Sequence, residues 1–504
     1  MTALKRAMYR GSLGTIDIGL AVRVDSFSFL LVVSLLTGLA SLAANASMPG
    51  AARATYDADL AIQETLNALA ARSGRMLPRF RVRPSDAERF HSSFKKGPGR
   101  RDFSNKMVYA PNRGTALYCG ANHNSPHRLN DVWEFHLPGN TWHLISPPAS
   151  DAYQLKNLLH RKKRAAKAMR QGIDVEANRR FVEEEYSDRV RAWYECCTVE
   201  DGYLQAKGNG GPIRPYHTWD GVTYDQRTGR LYWAVLDLNH ESMARRWAKI
   251  TGRDPEKAAK ALQPASTMYI FDPSKGRWRR QMGEPPFPRM HGMGGTLVYL
   301  PDRDVTLWYV AATNRTPNDF AMWSYDSGSN HWRRLLGDKE VRHLVHTAKV
   351  APGSELQAAY SARHGKLVAV QKKDTFIFDV ESNRWSRAAG TPGFGHDAHG
   401  VFAYDSNADV FLLVSRDDFR SNGPWRVHAY DLKTNTWETV KVGGEGVPDD
   451  TSRKSWLKYK FAGYYDPEQN VLVLYEGRTA STWIYRHAGR RRDHPEQLGA
   501  KRSR

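Results

Sequence analysis

A motif that returns about every 53 residues constrains this 504-residue chain more than any other feature. Each copy has three parts. A short apolar strand ends in Tyr and a tight turn (KMVYAPNRG, GVTYDQRTG, TLVYLPDRD, LQAAYSARHG, GVFAYDSNAD, AGYYDPEQN), with marker residues Tyr109, Tyr224, Tyr299, Tyr360, Tyr404 and Tyr465. A second strand follows at once (TALYCGA, RLYWAVL, VTLWYVAA, KLVAVQ, VFLLVS, VLVLYEG). Then come an aromatic strand, a turn and a Trp, as in DVWEFHLPGNTW and RVHAYDLKTNTW. Alternation of apolar and polar positions, β-branched and aromatic enrichment, and Asp/Asn/Gly turns specify strands rather than helices. One four-stranded sheet per period cannot bury its faces alone, so the copies must stack. The tryptophans Trp142, Trp278, Trp332, Trp385 and Trp437, at one offset, are expected to open each outermost strand and pack between neighbouring sheets.

These units predict an all-β fold, a β-propeller with six visible blades; a seventh built from Arg79 to Gly99 stays open at this level. Over about Asp102 to His487 they resemble kelch repeats, the family that includes the propeller domain of galactose oxidase. The usual double glycine after the second strand is mostly absent. The last unit, STWIYRH, lacks a fourth strand and its Trp. A ring hides its edges only by closing, so the chain is expected to borrow a strand from its other end, Arg75 to Arg83 (RMLPRFRVR). Residues 55–72 read as a helix leading into the ring. Two insertions also read as helical: 151–197, between the first two blades, and 240–262, within the second. Helices added to a propeller are expected to cover one face. The expected organisation is a signal peptide over 1–46, helix and closing strand over 47–101, propeller over 102–487, and a basic tail over 488–504.

The leader has Lys5, Arg6, Arg10 and Arg23 before an uncharged run from Ser26, ending in the small-x-small Ala44-Asn45-Ala46. That pattern predicts export to a secreted or periplasmic location, with cleavage after Ala46 and no stable membrane span afterwards; an uncleaved anchor is the alternative. Three cysteines (Cys119, Cys196, Cys197) allow one bridge at most, such as Cys119 to one of the pair. The formal charge of +21 favours an acidic partner. Anionic polysaccharide, nucleic acid and a membrane surface all fit that charge; export disfavours nucleic acid, and an anionic polysaccharide is the expected partner.

Candidate chemistry falls in the loops expected on one face of the ring. Asn122, His123, His127 and Arg128 lie in CGANHNSPHRLND; Arg214, Tyr216 and His217 precede the second blade, and Arg289 and His291 the third. VRHLVH, with Arg342, His343 and His346, leads to the fourth; His396, Asp397 and His399 open the fifth; Lys458 precedes the sixth. His and Tyr can remove and return protons, and Arg neutralises a carboxylate, which is what β-elimination of a uronate polymer requires. On that reading His123, Tyr216, His217, Arg214 and Arg289 are catalytic. Asn122, His127, Arg128, His291, His399 and Lys458 bind substrate. The set is similar in residue types to propeller-type polysaccharide lyases acting on ulvan. His396 and His399 are spaced to share a structural calcium or zinc ion. The galactose oxidase resemblance would instead imply a Tyr–Cys crosslinked copper site, with Tyr118-Cys119 as its nearest match. A non-catalytic binding propeller of the cell envelope is the alternative from another class.

Overall fold

The computed structural model describes residues 54–83, 97–99, 101, 104–120, 130–148, 155–200, 202–213, 218–236, 240–261, 266–282, 295–311, 320–391, 400–416, 424–448, 461–477 and 479–489. Their order is helix α1 (Leu60–Ala68), strands β1 (Ser73–Met76) and β2 (Arg81–Arg83), and then six blades. Helices α2 (Leu155–Arg170), α3 (Val175–Arg180) and α4 (Tyr186–Glu195) follow blade one; α5 (His240–Ile250) and α6 (Pro255–Lys260) interrupt blade two; α7 (Asp338–His346) precedes blade four.

The blades are six antiparallel meanders, and their first strands are Val108–Ala110, Val222–Asp225, Thr296–Leu300, Gln357–Ser361, Val401–Asp405 and Phe461–Asp466. Each first strand sits at the edge of its sheet and touches the first strands on either side, the sixth meeting the first. This is a closed six-bladed propeller. Buried apolar side chains fill all six interfaces between blades.

The repeated residues have visible jobs. Each Trp is the second residue of its fourth strand and lies directly across from an aromatic of the third: Phe135 from Trp142, Phe271 from Trp278, Tyr325 from Trp332, Phe378 from Trp385 and Tyr430 from Trp437. The ring centroids are 4.8–5.2 Å apart. The indoles also reach the preceding blade, Trp142 against Tyr475 and Trp385 against Tyr309. The recurring tyrosines clamp turns. Tyr299, Tyr325, Tyr404, Tyr430 and Tyr465 each donate to an Asp or Asn five residues on (Asp304, Asn330, Asp409, Asn435, Asn470). All five acceptors are left-handed, a conformation Asn and Asp tolerate best after Gly.

Closure corrects the expected donor. The strand completing blade six is β1, antiparallel to Ser481–Arg486, so only Arg75 and Met76 of the expected segment take part. Gly74 is indispensable there, because the Trp483 ring occupies the space a Cβ would need. Arg81–Arg83 instead adds a parallel fifth strand to blade one, on Thr141–His143, so it builds no seventh blade. Helix α1 is shorter than expected. Asp59 caps it by accepting from the amides of Ala61 and Ile62, and it stops because Leu69 must turn extended to enter β1. Buried Arg486, ending the last blade, donates to the carbonyls of Leu66 and Leu69 and ties the two ends of the propeller together.

The insertions are helical as expected, each broken once by a glycine turn (Phe181–Glu185, a π-helical stretch, carries α3 directly into α4), and neither lies alone. Leu158, Ala165, Phe181, Tyr186, Val190, Trp193 and Tyr194 of the first share one core with Met243, Trp247 and Ala248 of the second. An unforeseen hairpin, Cys197–Glu200 with Tyr203–Ala206, completes this cap and docks it on the ring. Asn209 and Asn130 exchange amide hydrogen bonds at 3.1 Å, the Trp278 amide donates to the Asn209 carbonyl, and Arg280 stacks on Tyr203 while donating to the Glu200 carbonyl. The three cysteines are free. Cys119 lies between blades one and two and Cys197 in the cap core, so no bridge joins them.

Candidate functional site

The first strands run parallel around the axis, so their N-terminal ends share one face. A polar cluster sits there. Lys106 of blade one pairs its backbone with Gly463 of blade six. Its ammonium then reaches the Leu297 carbonyl of blade three at 3.0 Å and the Asp220 carboxylate of blade two at 3.3 Å. The same carboxylate accepts from the Thr296 hydroxyl and, at 3.1 Å, from the Ala358 amide of blade four. Asn105 Nδ2 and Gln357 Nε2 both donate to the Gly400 carbonyl at the start of blade five, at 3.2 and 2.6 Å. Four blades thus contribute polar side chains, and blades five and six contribute backbone.

All of it is buried apart from a little of the lysine: Asp220 is 3% exposed and Thr296 1%. Burial raises the Asp220 carboxyl above the usual carboxylate range, and the Lys106 ammonium opposes that rise. With a cation, a hydroxyl and an amide already on it, this carboxylate is a closed network rather than a poised base. Gln357 Oε1 is buried and has no hydrogen-bond partner among the described residues.

Beside the cluster, Arg101 and Asp131 form a fully buried ion pair at 2.6 Å. Arg101 also donates to the Gly120 carbonyl and lies over the Tyr118 ring, and Asp131 accepts from Trp133 Nε1. Gly120 takes a positive φ of 121° and packs so closely on Ser104 and Thr218 that a side chain has no room.

The residues expected to act there, Asn122, His123, His127, Arg128, Arg214, Tyr216, His217, Arg289, His291, His396, His399 and Lys458, all lie outside the described residues. What the structure supplies is their anchor points. Segment 121–129 hangs from Gly120 and Asn130; segment 214–217 precedes Thr218 and Asp220; segment 283–294 precedes Thr296; segment 392–399 precedes Gly400; segment 449–460 precedes Phe461. Gly120 touches Thr218, and Asp220, Thr296 and Gly400 belong to the axial cluster.

One expected group lies among the described residues. Arg342, His343 and His346 stand on helix α7 rather than on a loop; Arg342 pairs with Asp338 at 3.1 Å and lies over Phe320, whose ring His346 also meets. Tyr118 and Cys119 face different interfaces, with the Tyr118 hydroxyl donating to the Ser104 carbonyl, so they do not form a joint copper site. Among the described residues no three His, Cys, Asp or Glu are placed to hold a metal.

Sequence reasoning missed the axial residues themselves. A signal existed. Asn105, Asp220 and Gly400 stand four residues before a marker tyrosine, and Lys106, Thr296 and Gln357 three before. Compared with known proteins, the chain matches no family model and no curated protein.

Proposed function

We propose that this is an exported, kelch-type propeller acting on an anionic, uronate-containing polysaccharide at the face where the first strands begin. The observation behind the reading is the common anchorage: segments bearing Arg214, Tyr216, His217, Arg289, His291, His396 and His399 join strands whose ends share one hydrogen-bonded cluster, and the segment bearing His123 hangs from Gly120, which packs on Thr218 beside it. In the proposed reaction a base among His123, His217 and Tyr216 takes the C5 proton of the uronate. The electrons form the C4–C5 double bond, and the C4–O bond breaks as the leaving oxygen receives a proton from the second member of the pair, which is Tyr216 with either His123 or His217. Arg214 or Arg289 neutralises the carboxylate and makes the proton acidic enough to leave.

The alternative, a non-catalytic glycan- or protein-binding propeller, is favoured by one observation. The described floor holds no unengaged acid or base, since Asp220 and Asp131 are both committed to cations. Protein beginning at Ser47, incubated with uronate-containing polysaccharides, separates the two. Growing ultraviolet absorbance from an unsaturated uronate, lost in His217→Ala or Arg289→Ala, is the expected result for a lyase. A flat trace together with retention on the same glycans would overturn it and leave the binder.

A further inference from the structure

Two features coincide at one corner of the cap, away from the axial cluster. The first is charge. Lys163, Lys167 and Arg170 follow one another at intervals of one helical turn along α2, with Arg164 beside them, all exposed and none in an ion pair among the described residues. Elsewhere in the cap several arginines are paired, Arg179 with Glu176, Arg189 with Glu185 and Arg245 with Glu241, and the exposed Arg191 and Arg246 do not form a row of helical spacing. Helix α2 is held so that this row faces outward, because Arg161 lies 3.8 Å over Phe181 and Lys162 4.2 Å over Tyr186 on its inner side.

The second feature is apolar. Four large hydrophobic side chains are exposed among the described residues, and two of them lie just after Arg170: Ile173 (53%) in the turn and Val175 (37%) at the first position of α3. That turn is built rather than frayed. Ile173 donates its amide to the Ala168 carbonyl and accepts from Asn178 Nδ2, and Gly172 and Asp174 take positive φ. Its nearest carboxylates are Asp174 and Glu176, the latter held by Arg179.

A polysaccharide needs only the cations. A bilayer surface uses both features, phosphate headgroups for the basic row and the acyl boundary for exposed aliphatics at its end. We propose that the cap docks on an anionic phospholipid surface through α2 and the Ile173–Val175 turn, holding the ring at a membrane as a peripheral protein. No described helix is long and apolar enough to cross one. This docking is independent of the glycan reading.

Protein from Ser47 retains the whole compact unit of residues 50–504 and removes the apolar leader as a confounder. It is floated with phosphatidylcholine vesicles and with vesicles containing about one-third phosphatidylglycerol, at roughly 0.1 M salt. Flotation with the anionic vesicles alone is expected. Lys163→Glu/Lys167→Glu/Arg170→Glu should weaken it about tenfold or more, and Ile173→Ser/Val175→Ser about threefold to tenfold, with near-ultraviolet circular dichroism unchanged. If the triple variant does not fold, loss of wild-type flotation at high salt carries the charge arm. Absence of wild-type flotation would overturn the proposal. So would a serine variant that floats like wild type, and retention of that variant on anionic polysaccharide would then mark the basic row as a glycan site.

Discussion

The axis and the cap both concentrate cations, and they use them in opposite ways. At the axis, Lys106 is enclosed by four blades and answered by Asp220, Leu297 and the Gly463 backbone, so its charge holds the ring together. On α2, Lys163, Lys167 and Arg170 are exposed to water and have no ion-pair partner among the described residues, so the described fold does not rest on them. A buried charge is costly without its counterion, whereas an exposed one contributes little to stability and is available to a ligand. Location relative to water, rather than residue type, separates structural from functional cations in this protein.

Breaking the axial pair should have the largest effect. Asp220→Ala strands an ammonium inside the ring and should cost about 3–5 kcal/mol in denaturant unfolding. Lys106→Met should cost less, about 1–3 kcal/mol, because the carboxyl of Asp220, already raised by burial, can take up a proton. The sign of its pH dependence follows. A carboxyl whose folded pKa exceeds its unfolded value binds more protons when folded, so stability falls as pH rises. Lys106→Met should therefore lose stability relative to wild type between pH 5 and 8, and adding Asp220→Asn should remove that slope. A flat profile in the single variant would mean that Asp220 stays ionised without its lysine.

A smaller effect probes the seam between the two regions. Asn209→Ala removes one half of the reciprocal amide pair with Asn130 and should cost about 1–2 kcal/mol. Hydrogen exchange should quicken in Tyr203–Ala206 before it does in the blades. Smallest of all, Lys163→Gln/Lys167→Gln should move thermal unfolding by less than about 0.5 kcal/mol equivalent. It should nevertheless flatten the salt dependence of binding to any polyanionic surface. A large loss of stability would show that these cations support the cap after all.

The blades were legible because their signals are local and repeated: a tyrosine that clamps a turn five residues on, and a tryptophan facing an aromatic across one strand pair. The helical character of both insertions was legible for the same reason. Their union was not, since Trp193 and Trp247 meet only through folding. Helix α7 is not legible in the six-residue window VRHLVH, which is too short to show a helical period; the Asp338–Arg342 pair and the buried Val341 reveal it when the segment is taken from Asp338. The histidine-rich segments could be assigned from sequence to one end of the blades, and the structure locates the strand ends that carry them.

By itself the sequence determined that the chain repeats as at least six sheets, the strand order within each blade and the positions that pack between blades, because these depend on residue patterns within about 53 positions; that there is no seventh was decided by the pairing of Arg81–Arg83 with Thr141–His143. Only the tertiary structure decided which residues close the ring, how two insertions become one cap, and that Lys106 and Asp220 meet at the axis. Those pairings join residues far apart in the chain, Ser73 with Arg486 and Lys106 with Asp220 and Leu297. No local pattern encodes them. They follow from the closure of a ring, which brings six strand ends to one axis and requires the polar groups there to satisfy one another.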